Sequence, residues 1–497
     1  MKRPAPGFRF SAMIFLFFWS DILFGQYPSA VPVSARYEAG FRSISETDSR
    51  RWLKHLVSDE FAGRGTGQPG YVLAADWFAG QLQELGFSPG GVDGSWFQPV
   101  PFVRQTVVRE STRLKRGDQE LVSGDSFGIS RFTGVVDQQL SLTFLDLVRE
   151  MPSASENLFR GRLLVMMVRA GRIDPADPFF SRAAPAGVLI VTDDTAVRSE
   201  AVQRIEETPV PYPCLTICRS AATQLASESG IETPMFTPQA PTGDEIHESP
   251  DRIQCQLQID REPVDVPNVL GWYRGAEADA CPEYVTVGAH LDHLGIQQGK
   301  IYPGADDNAS GSTALLQVAK AIAETPERPK RSILLMAFCA EERGLLGSKY
   351  WCEHPTRPIG NMVCMMNIDM IGRNEENQSE SAADNENTIH LVGCREKFPG
   401  LHDLYSAANR NVGFVFEYDE ERVNLRSDHA SFAAKGIPSA FLFGGFNPHY
   451  HQTTDTLDGI NYQKIANAAR LKYLTVMMAA DQGLPELPES EGGSAKP

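Results

Sequence analysis

The residues able to do chemistry fall in five short clusters along one stretch of the chain: His290-Leu-Asp292, Gly304-Ala-Asp306-Asp307-Asn308, Glu341-Glu342, Asn367-Ile-Asp369 and His449-Tyr-His451-Gln-Thr-Thr-Asp455. Any one of them alone reads as a helix cap or a hydrogen-bonded loop. Their succession in this order is not explained by capping. Imidazole and carboxylate together suit Zn²⁺, and a carboxylate shared between two cations can hold them close enough to activate one water between them. Such a pair of ions lowers the water's pKa and stabilises the oxyanion of a tetrahedral intermediate. The adjacent carboxylates of Glu341 and Glu342 then have separate tasks. One ligates metal, while the other stays free to take a proton from the water and return it to a leaving amine.

These clusters need elements to hold them. Tyr284-Val-Thr-Val-Gly-Ala-His290 is a continuous apolar run ending in polar residues, the pattern of a strand buried on both faces. Ser310 to Ala323 reads as a helix with Ala314, Leu315, Val318, Ala319 and Ile322 on one face. Ser332 to Phe338 is the next strand, Gly344 to Cys352 the next helix and Met362 to Ile368 a further strand. The alternation predicts an α/β fold: a mixed, mostly parallel sheet sandwiched by helices, with functional groups gathered at the carboxyl ends of the strands. Upstream, Thr47 to Gly86 reads as helical, interrupted by the turn Gly63-Arg-Gly-Thr-Gly-Gln-Pro-Gly70. Between about Thr133 and Ser249 the texture changes to short β-like runs separated by Pro- and Asp-rich turns, which predicts an inserted β-rich domain. The expected division is a signal peptide over 1–25, the first part of the main domain over 26–132, the insertion over 133–249, the metal-bearing part over 250–483 and a disordered tail over 484–497.

A chain of 497 residues exceeds what one core usually organises, which agrees with more than one folded unit. Its formal net charge of −17 argues against general nucleic-acid binding, which needs basic surface to replace phosphate counterions. Lys2, Arg3 and Arg9 precede the apolar run Met13 to Trp19, the layout of a secretory leader with a cut near Gly25. The run is interrupted by Asp21 and is too short for a stable membrane span, and no later segment is long and apolar enough to cross a bilayer. Secreted or periplasmic location is expected, or membrane anchoring if the leader is uncleaved. All eight cysteines follow residue 213, and in an exported protein some could pair. Cys214 and Cys218 resemble a metal knuckle only superficially, since no second ligand pair follows at zinc-finger spacing.

With these clusters, Phe61-Ala-Gly-Arg-Gly-Thr-Gly67 near the start and Arg426-Ser-Asp-His-Ala-Ser-Phe432 near the end, the chain resembles the aminopeptidase Y and glutamate carboxypeptidase-like zinc metallopeptidases, of the bacterial leucyl aminopeptidase type. The resemblance covers most of the chain. It implies two zinc ions per chain: His290 and Asp369 on one, Glu342 and His451 on the other, Asp307 bridging. It makes Glu341 the general base and Asp292 the carboxylate that orients a ligand histidine. His451 is preferred to His449 because the family places a histidine four residues before the acid that Asp455 matches. For His429 it suggests a substrate-side or oxyanion-stabilising role, with a structural hydrogen bond as the equal alternative, and for His293 a structural role. Arg64 and Arg373 fit family positions too, though a buried ion pair would explain them equally. Gly161-Arg-Leu-Leu-Val-Met-Met-Val168 and Ala183 to Val191 resemble a protease-associated domain, which in relatives covers part of the active-site mouth.

The implied function is a zinc-dependent exopeptidase that removes N-terminal residues from small peptides. Two alternatives share the scaffold: a glutaminyl cyclase with one zinc, and a non-catalytic binding ectodomain such as that of the transferrin receptor. Neither the motifs nor the composition specify an oligomeric state.

Overall fold

The apolar runs Tyr284–His290, Ser332–Phe338 and Met362–Asp369 are parallel neighbours at the centre of a ten-stranded sheet. The computed structural model describes residues 27–485 apart from 28–29, 109–110, 132–135, 149–157, 170–172, 174–176, 193–199, 205–211, 232–234, 240–242 and 298. The expected leader over 1–25 and the tail beyond 485 lie outside the described residues. Every residue of the first two central strands is buried, as a strand covered on both faces requires.

The strand order along the sheet is Val415–Glu417, Thr388–Val392, Ser439–Phe443, Met362–Asp369, Tyr284–His290, Ser332–Phe338, Ile259–Tyr273, Phe97–Val107, Glu200–Arg204, with Ser88–Pro89 pairing beside Ile259–Tyr273. The four strands from Ser439–Phe443 to Ser332–Phe338 are parallel. The sheet turns antiparallel outside them, where Ile259–Tyr273 meets Ser332–Phe338 and Thr388–Val392 meets Ser439–Phe443.

Side chains alternate between two cores, following the two-residue period of a strand. Val285, Val287, Ala289, Ile333 and Leu335 face one side, packing with residues of the helices Glu46–Leu56, Pro69–Glu84, Gly311–Ala323, Pro399–Asn409 and Tyr462–Gln482. Tyr284, Leu334, Met336 and Phe338 face the other side, against Trp351 of the helix Leu346–Glu353 and Phe432 of the short helix His429–Ala433. The sheet is therefore sandwiched by helices, as the alternating texture predicts.

Phe97–Val107 and Ile259–Tyr273 pair as a long antiparallel ribbon, from Phe97 opposite Val269 to Val107 opposite Ile259. Between those two strands the chain builds an eight-stranded sheet in the order Gln119–Val122, Arg113–Arg116, Glu245–Leu257, Val136–Leu147, Leu163–Val168, Gly187–Thr192, Cys214–Cys218, Phe127–Arg131. This sheet has apolar clusters of its own, one around Leu142, Phe144 and Ile217 and another around Phe159, Phe179 and Phe180. It starts at Arg113 and runs to Leu257, so it is wider than the 133–249 expected from sequence. The strand Arg113–Arg116 explains the difference: it reads Arg-Leu-Lys-Arg, and Leu114 is its only buried residue, so no apolar run marks it.

No disulfide joins the described cysteines, and all but Cys281 are buried. Cys214 and Cys218 stand at opposite ends of one strand, about 13 Å apart by strand rise, too far to chelate one ion. Among the described residues no helix is long and apolar enough to cross a membrane.

Candidate functional site

The site lies at the carboxyl edge of the central strands. His290 and Asp369 are the last residues of adjacent parallel strands, and Glu341-Glu342 follows the strand on the other side of His290. Asp307 comes from the segment Ala305–Ser310 that leads into the helix Gly311–Ala323. His451 comes from the loop after Ser439–Phe443. Several of these residues sit beside backbone in the left-handed region, rare for side chains with a Cβ: Ala340 (φ 54°) before Glu341, Met370 (φ 50°) after Asp369, and His451 itself (φ 56°). Gly304 (φ 60°) opens the Asp307 segment, and a Cβ there would stand 2.2 Å from the Asp307 carbonyl oxygen and 2.5 Å from the His293 ring. Only glycine fits that turn.

The side chains converge in two linked groups. His290 Nε2 lies 3.1 Å from Asp369 Oδ1 and 3.4 Å from Asp307 Oδ1. On the other side of Asp307, its Oδ2 lies 3.2 Å from His451 Nε2, and that nitrogen is 3.1 Å from Glu342 Oε2. Asp307 thus offers one oxygen to each group. Glu341 stands with His290 and Asp369, its carboxylate lining the pocket above them. His293, expected to be structural, also reaches the second group: its Nδ1 is 2.7 Å from Glu342 Oε1 and 3.7 Å from Asp307 Oδ2.

A further layer of polar groups fixes these donors. His290 Nδ1 meets the backbone carbonyl of Asp292 at 3.0 Å, whereas the Asp292 carboxylate accepts hydrogen bonds from Thr66 Oγ1 (2.8 Å) and the Glu341 N–H (3.0 Å). Asp292 therefore orients His290 through its backbone and Glu341 through its side chain. Ser427 Oγ donates to Asp369 Oδ2 at 2.6 Å. Asp455 accepts from the N–H groups of Asp306 and Asp307, and Arg373 Nε donates to the same carboxylate at 3.2 Å. Asp306, in turn, accepts from the N–H groups of Gly372 and Arg373 and from Asn447 Nδ2, tying together the loops that carry Asp307, Asp369 and His451.

Arg373 is thus in a buried ion pair, the alternative to a family role left open for it, whereas Arg64 is in none. The fully buried Arg64 guanidinium donates to the backbone carbonyls of Leu56, Leu291, Pro303 and Gly304. It pins the His290 loop to the Asp307 turn. Burial depresses its pKa to about 10, opposed by the charges of Asp307 and Asp455. Replacing it with Met would leave several buried carbonyls without donors, each costing roughly 1–3 kcal/mol. The expected result is a loss of at least about 3 kcal/mol in chemical denaturation. An unchanged denaturation midpoint would refute this role.

The site is rich in carboxylates. Burial, reinforced by the neighbouring charge of Glu342, raises the Asp307 pKa, and burial likewise raises Glu341 well above the ordinary carboxylate range. Burial also pushes Asp292 up to about 6 and Asp306 up to about 7. At Glu342 burial pushes the same way but is outweighed by hydrogen bonds from His293 and His451, which hold it well below its usual value. His451 is the converse: burial lowers its pKa, but Asp307 and Glu342 raise it to about 10.

Two sequence candidates stay outside this convergence. His449 Nδ1 pairs with Thr454 Oγ1 at 2.9 Å, away from the acids. His429 is fully buried, stacked on Phe441 with ring centroids 4.4 Å apart, and its Nε2 faces Asn424 Oδ1 at 3.1 Å. It does not line the pocket, and burial holds its pKa down to about 3. Sequence reasoning missed Tyr450, which stacks on His451 at 3.9 Å and lines the pocket with Arg426, Met370, Val423, Phe441, Phe443 and Phe446. The available signals were the position of Tyr450 next to a candidate ligand and the Phe-Leu-Phe ending of the strand before it.

Comparison with known proteins agrees with the resemblance read from the motifs. Residues 268–476 match the sequence model of Peptidase family M28. The chain is 24% identical to the probable lipoprotein aminopeptidase LpqL of Mycobacterium tuberculosis, over 91% of this chain and 89% of that protein. It is 29% identical to the aminopeptidase YwaD of Bacillus subtilis, over 40% of this chain and 41% of that one. It is 30% identical to a probable leucine aminopeptidase of Trichophyton verrucosum, over 38% of this chain and 51% of that one. Apart from the mycobacterial protein, these matches span about half or less of the relative's length. Among solved structures, an aminopeptidase from Aneurinibacillus sp. strain AM-1 superposes with a TM-score of 0.61 at 20% identity, covering 91% of this chain and 98% of that one. A zinc aminopeptidase from Bacillus subtilis gives 0.62 at 16% identity, covering 88% and 96%. Both share the fold.

Proposed function

We propose, for a chain that matches Peptidase family M28 through residues 268–476, that it is a zinc-dependent exopeptidase releasing apolar N-terminal residues from short peptides. The observation that carries this reading is the meeting of two histidine–carboxylate groups, joined through Asp307, at the base of a pocket that also presents Glu341.

The donor set fits zinc. Bonds of about 2.0–2.2 Å in a tetrahedron place ligand atoms about 3.3 Å apart, close to the separations around His290 and His451. His290 and Asp369 would hold one ion and Glu342 and His451 a second, with Asp307 between them and His293 supporting Glu342. Bound zinc supplies a Lewis acid and a more acidic water. Glu341 then takes a proton from the attacking water and delivers it to the leaving amine. The same carboxylate and Asp369 give the pocket the negative charge that a substrate's α-ammonium needs. The Tyr450 hydroxyl, which accepts a hydrogen bond from Arg426 Nη2 at 3.2 Å, is placed to donate to the scissile carbonyl. Met370, Val423, Phe441, Phe443 and Phe446 wall the far side with apolar surface suited to one side chain.

We read the eight-stranded sheet as a protease-associated-type insertion that restricts access to short peptides. Its position between the two ribbon strands supports that reading. The charged-then-apolar leader supports export to a secreted or periplasmic location, and the description of the mycobacterial relative as a lipoprotein agrees with export.

A panel of aminoacyl amides, each assayed with and without a chelator, tests the activity. Leu, Met and Phe substrates should exceed Asp and Gly substrates at least about tenfold in kcat/KM, because apolar contacts discriminate by about 1–3 kcal/mol. Chelation should abolish turnover, and N-acetylation of the substrate should too. Equal cleavage of N-acetylated and free peptides would rule out the exopeptidase reading.

A further inference from the structure

We propose that Glu375, His390 and Glu417 form a third zinc site, separate from the candidate catalytic centre and structural in role. His390 lies in the strand Thr388–Val392, directly opposite Glu417 on the neighbouring parallel strand Val415–Glu417. Glu375 reaches them from the segment that follows Asp369. His390 Nε2 stands 2.8 Å from Glu375 Oε2 and 3.6 Å from Glu417 Oε2, separations that bracket those around His290. His390 and Glu375 are buried, and Glu417 is half-buried.

A proton on His390 Nε2 serves only one of the two carboxylates. One N–H on His390 Nε2 can bond one carboxylate oxygen, and Glu375 already occupies it. Glu417 Oε2 is buried with no hydrogen-bond partner, and His390 Nδ1, although 3.3 Å from the exposed Asp419 carboxylate, makes no hydrogen bond either. The nearby cations are engaged elsewhere. Lys464 Nζ donates to the Asn385 carbonyl and Arg422 forks onto Glu420. The buried carboxylate of Glu375 and the half-buried one of Glu417, which also has a side-chain hydrogen bond with Thr388, therefore share one imidazole, an arrangement that a multivalent cation would stabilise. One imidazole with two carboxylates suits zinc, and a carboxylate beside the other ring nitrogen, as Asp419 is here, is the usual outer partner of a ligating histidine.

The site is also built by its neighbours. A Cβ on Gly445 (φ 91°) would meet the Glu375 Cβ at 2.4 Å, so the close approach of that backbone to Glu375 needs glycine. A zinc ion here would clip the segment after Asp369, which carries Met370, to the loop after Glu417, which carries Val423. The His390 ring packs against Phe443, 5.7 Å between centroids. The clip would thus brace the apolar wall of the pocket from behind.

Metal counting by difference tests this, whether the catalytic centre holds two ions or none. The full chain, Glu417→Gln and His390→Asn are each equilibrated with zinc, freed of excess and measured by elemental mass spectrometry. Each variant should contain one zinc fewer per chain than the wild type and lose part of the zinc-dependent rise in melting temperature. Glu417→Gln replaces a partly exposed carboxylate by its isostere, so it keeps the test open if His390→Asn fails to fold. Zinc content equal to wild type in a folded Glu417→Gln protein would overturn the proposal and leave an imidazolium held by its acids through charge alone.

Discussion

Glu341→Gln should lower kcat by about a thousandfold while the zinc content stays that of the wild type, because general acid–base catalysis contributes about 10²–10⁴. The amide is isosteric and keeps the backbone N–H that Asp292 accepts, so the loop should hold its shape. What changes is one proton acceptor. Glu342 cannot take over, since both of its oxygens are committed, one facing His293 at 2.7 Å and the other His451 at 3.1 Å. KM should rise as well, because Glu341 also supplies part of the negative charge that meets the substrate's α-ammonium, while the apolar wall and Tyr450 are untouched. Steady-state kinetics on a leucyl amide, with metal analysis of the same sample, separates this outcome from a loss of metal. Turnover within a few-fold of the wild type, with zinc in place, would remove Glu341 from the chemistry.

The contrast between Glu341 and Glu342 shows what a sequence can and cannot reveal. That two adjacent acids after a buried strand divide their tasks follows from the chemistry. Which one is free depends on His293 and His451, and neither is near them in sequence. The strands themselves were legible, because Tyr284–His290 and Ser332–Phe338 are buried on both faces and every residue reports it. Arg113–Arg116 was not, since a short strand with a single buried side chain leaves no period to read. The part played by Arg64 could not be read for a related reason: its partners are carbonyls up to 240 residues away, and a backbone acceptor leaves no trace in residue type. The third cluster stayed hidden because Glu375, His390 and Glu417 are far apart in sequence, His390 meeting Glu417 through strand pairing and Glu375 reaching them from a loop. The five clusters around His290 could be picked out because most of them set ligand-type residues at or soon after the end of a strand.

Asp307→Ala should cost far more than any outer residue, and in a way that distinguishes a bridging ligand from an ordinary acid. Its two oxygens address different histidines, His290 at 3.4 Å and His451 at 3.2 Å, so the truncation removes a donor from both groups at once. Loss of an outer partner of a metal ligand costs about 10–100-fold in affinity, so loss of a shared ligand should cost at least about 100-fold and leave no measurable turnover. Stability should move in opposite directions with and without zinc. In the chelated protein, burial and the charge of Glu342 both disfavour an ionised Asp307, so deleting the carboxylate relieves repulsion and the variant should melt no lower than the wild type. With zinc present the order should reverse, because the wild type gains more binding free energy on folding than the variant, whose affinity is weaker. Thermal melts of both proteins, with chelator and with zinc, give the four values required. A variant that melts well below the wild type after chelation would show that Asp307 holds the fold by itself, and the reading of it as a bridge between two cations would fall.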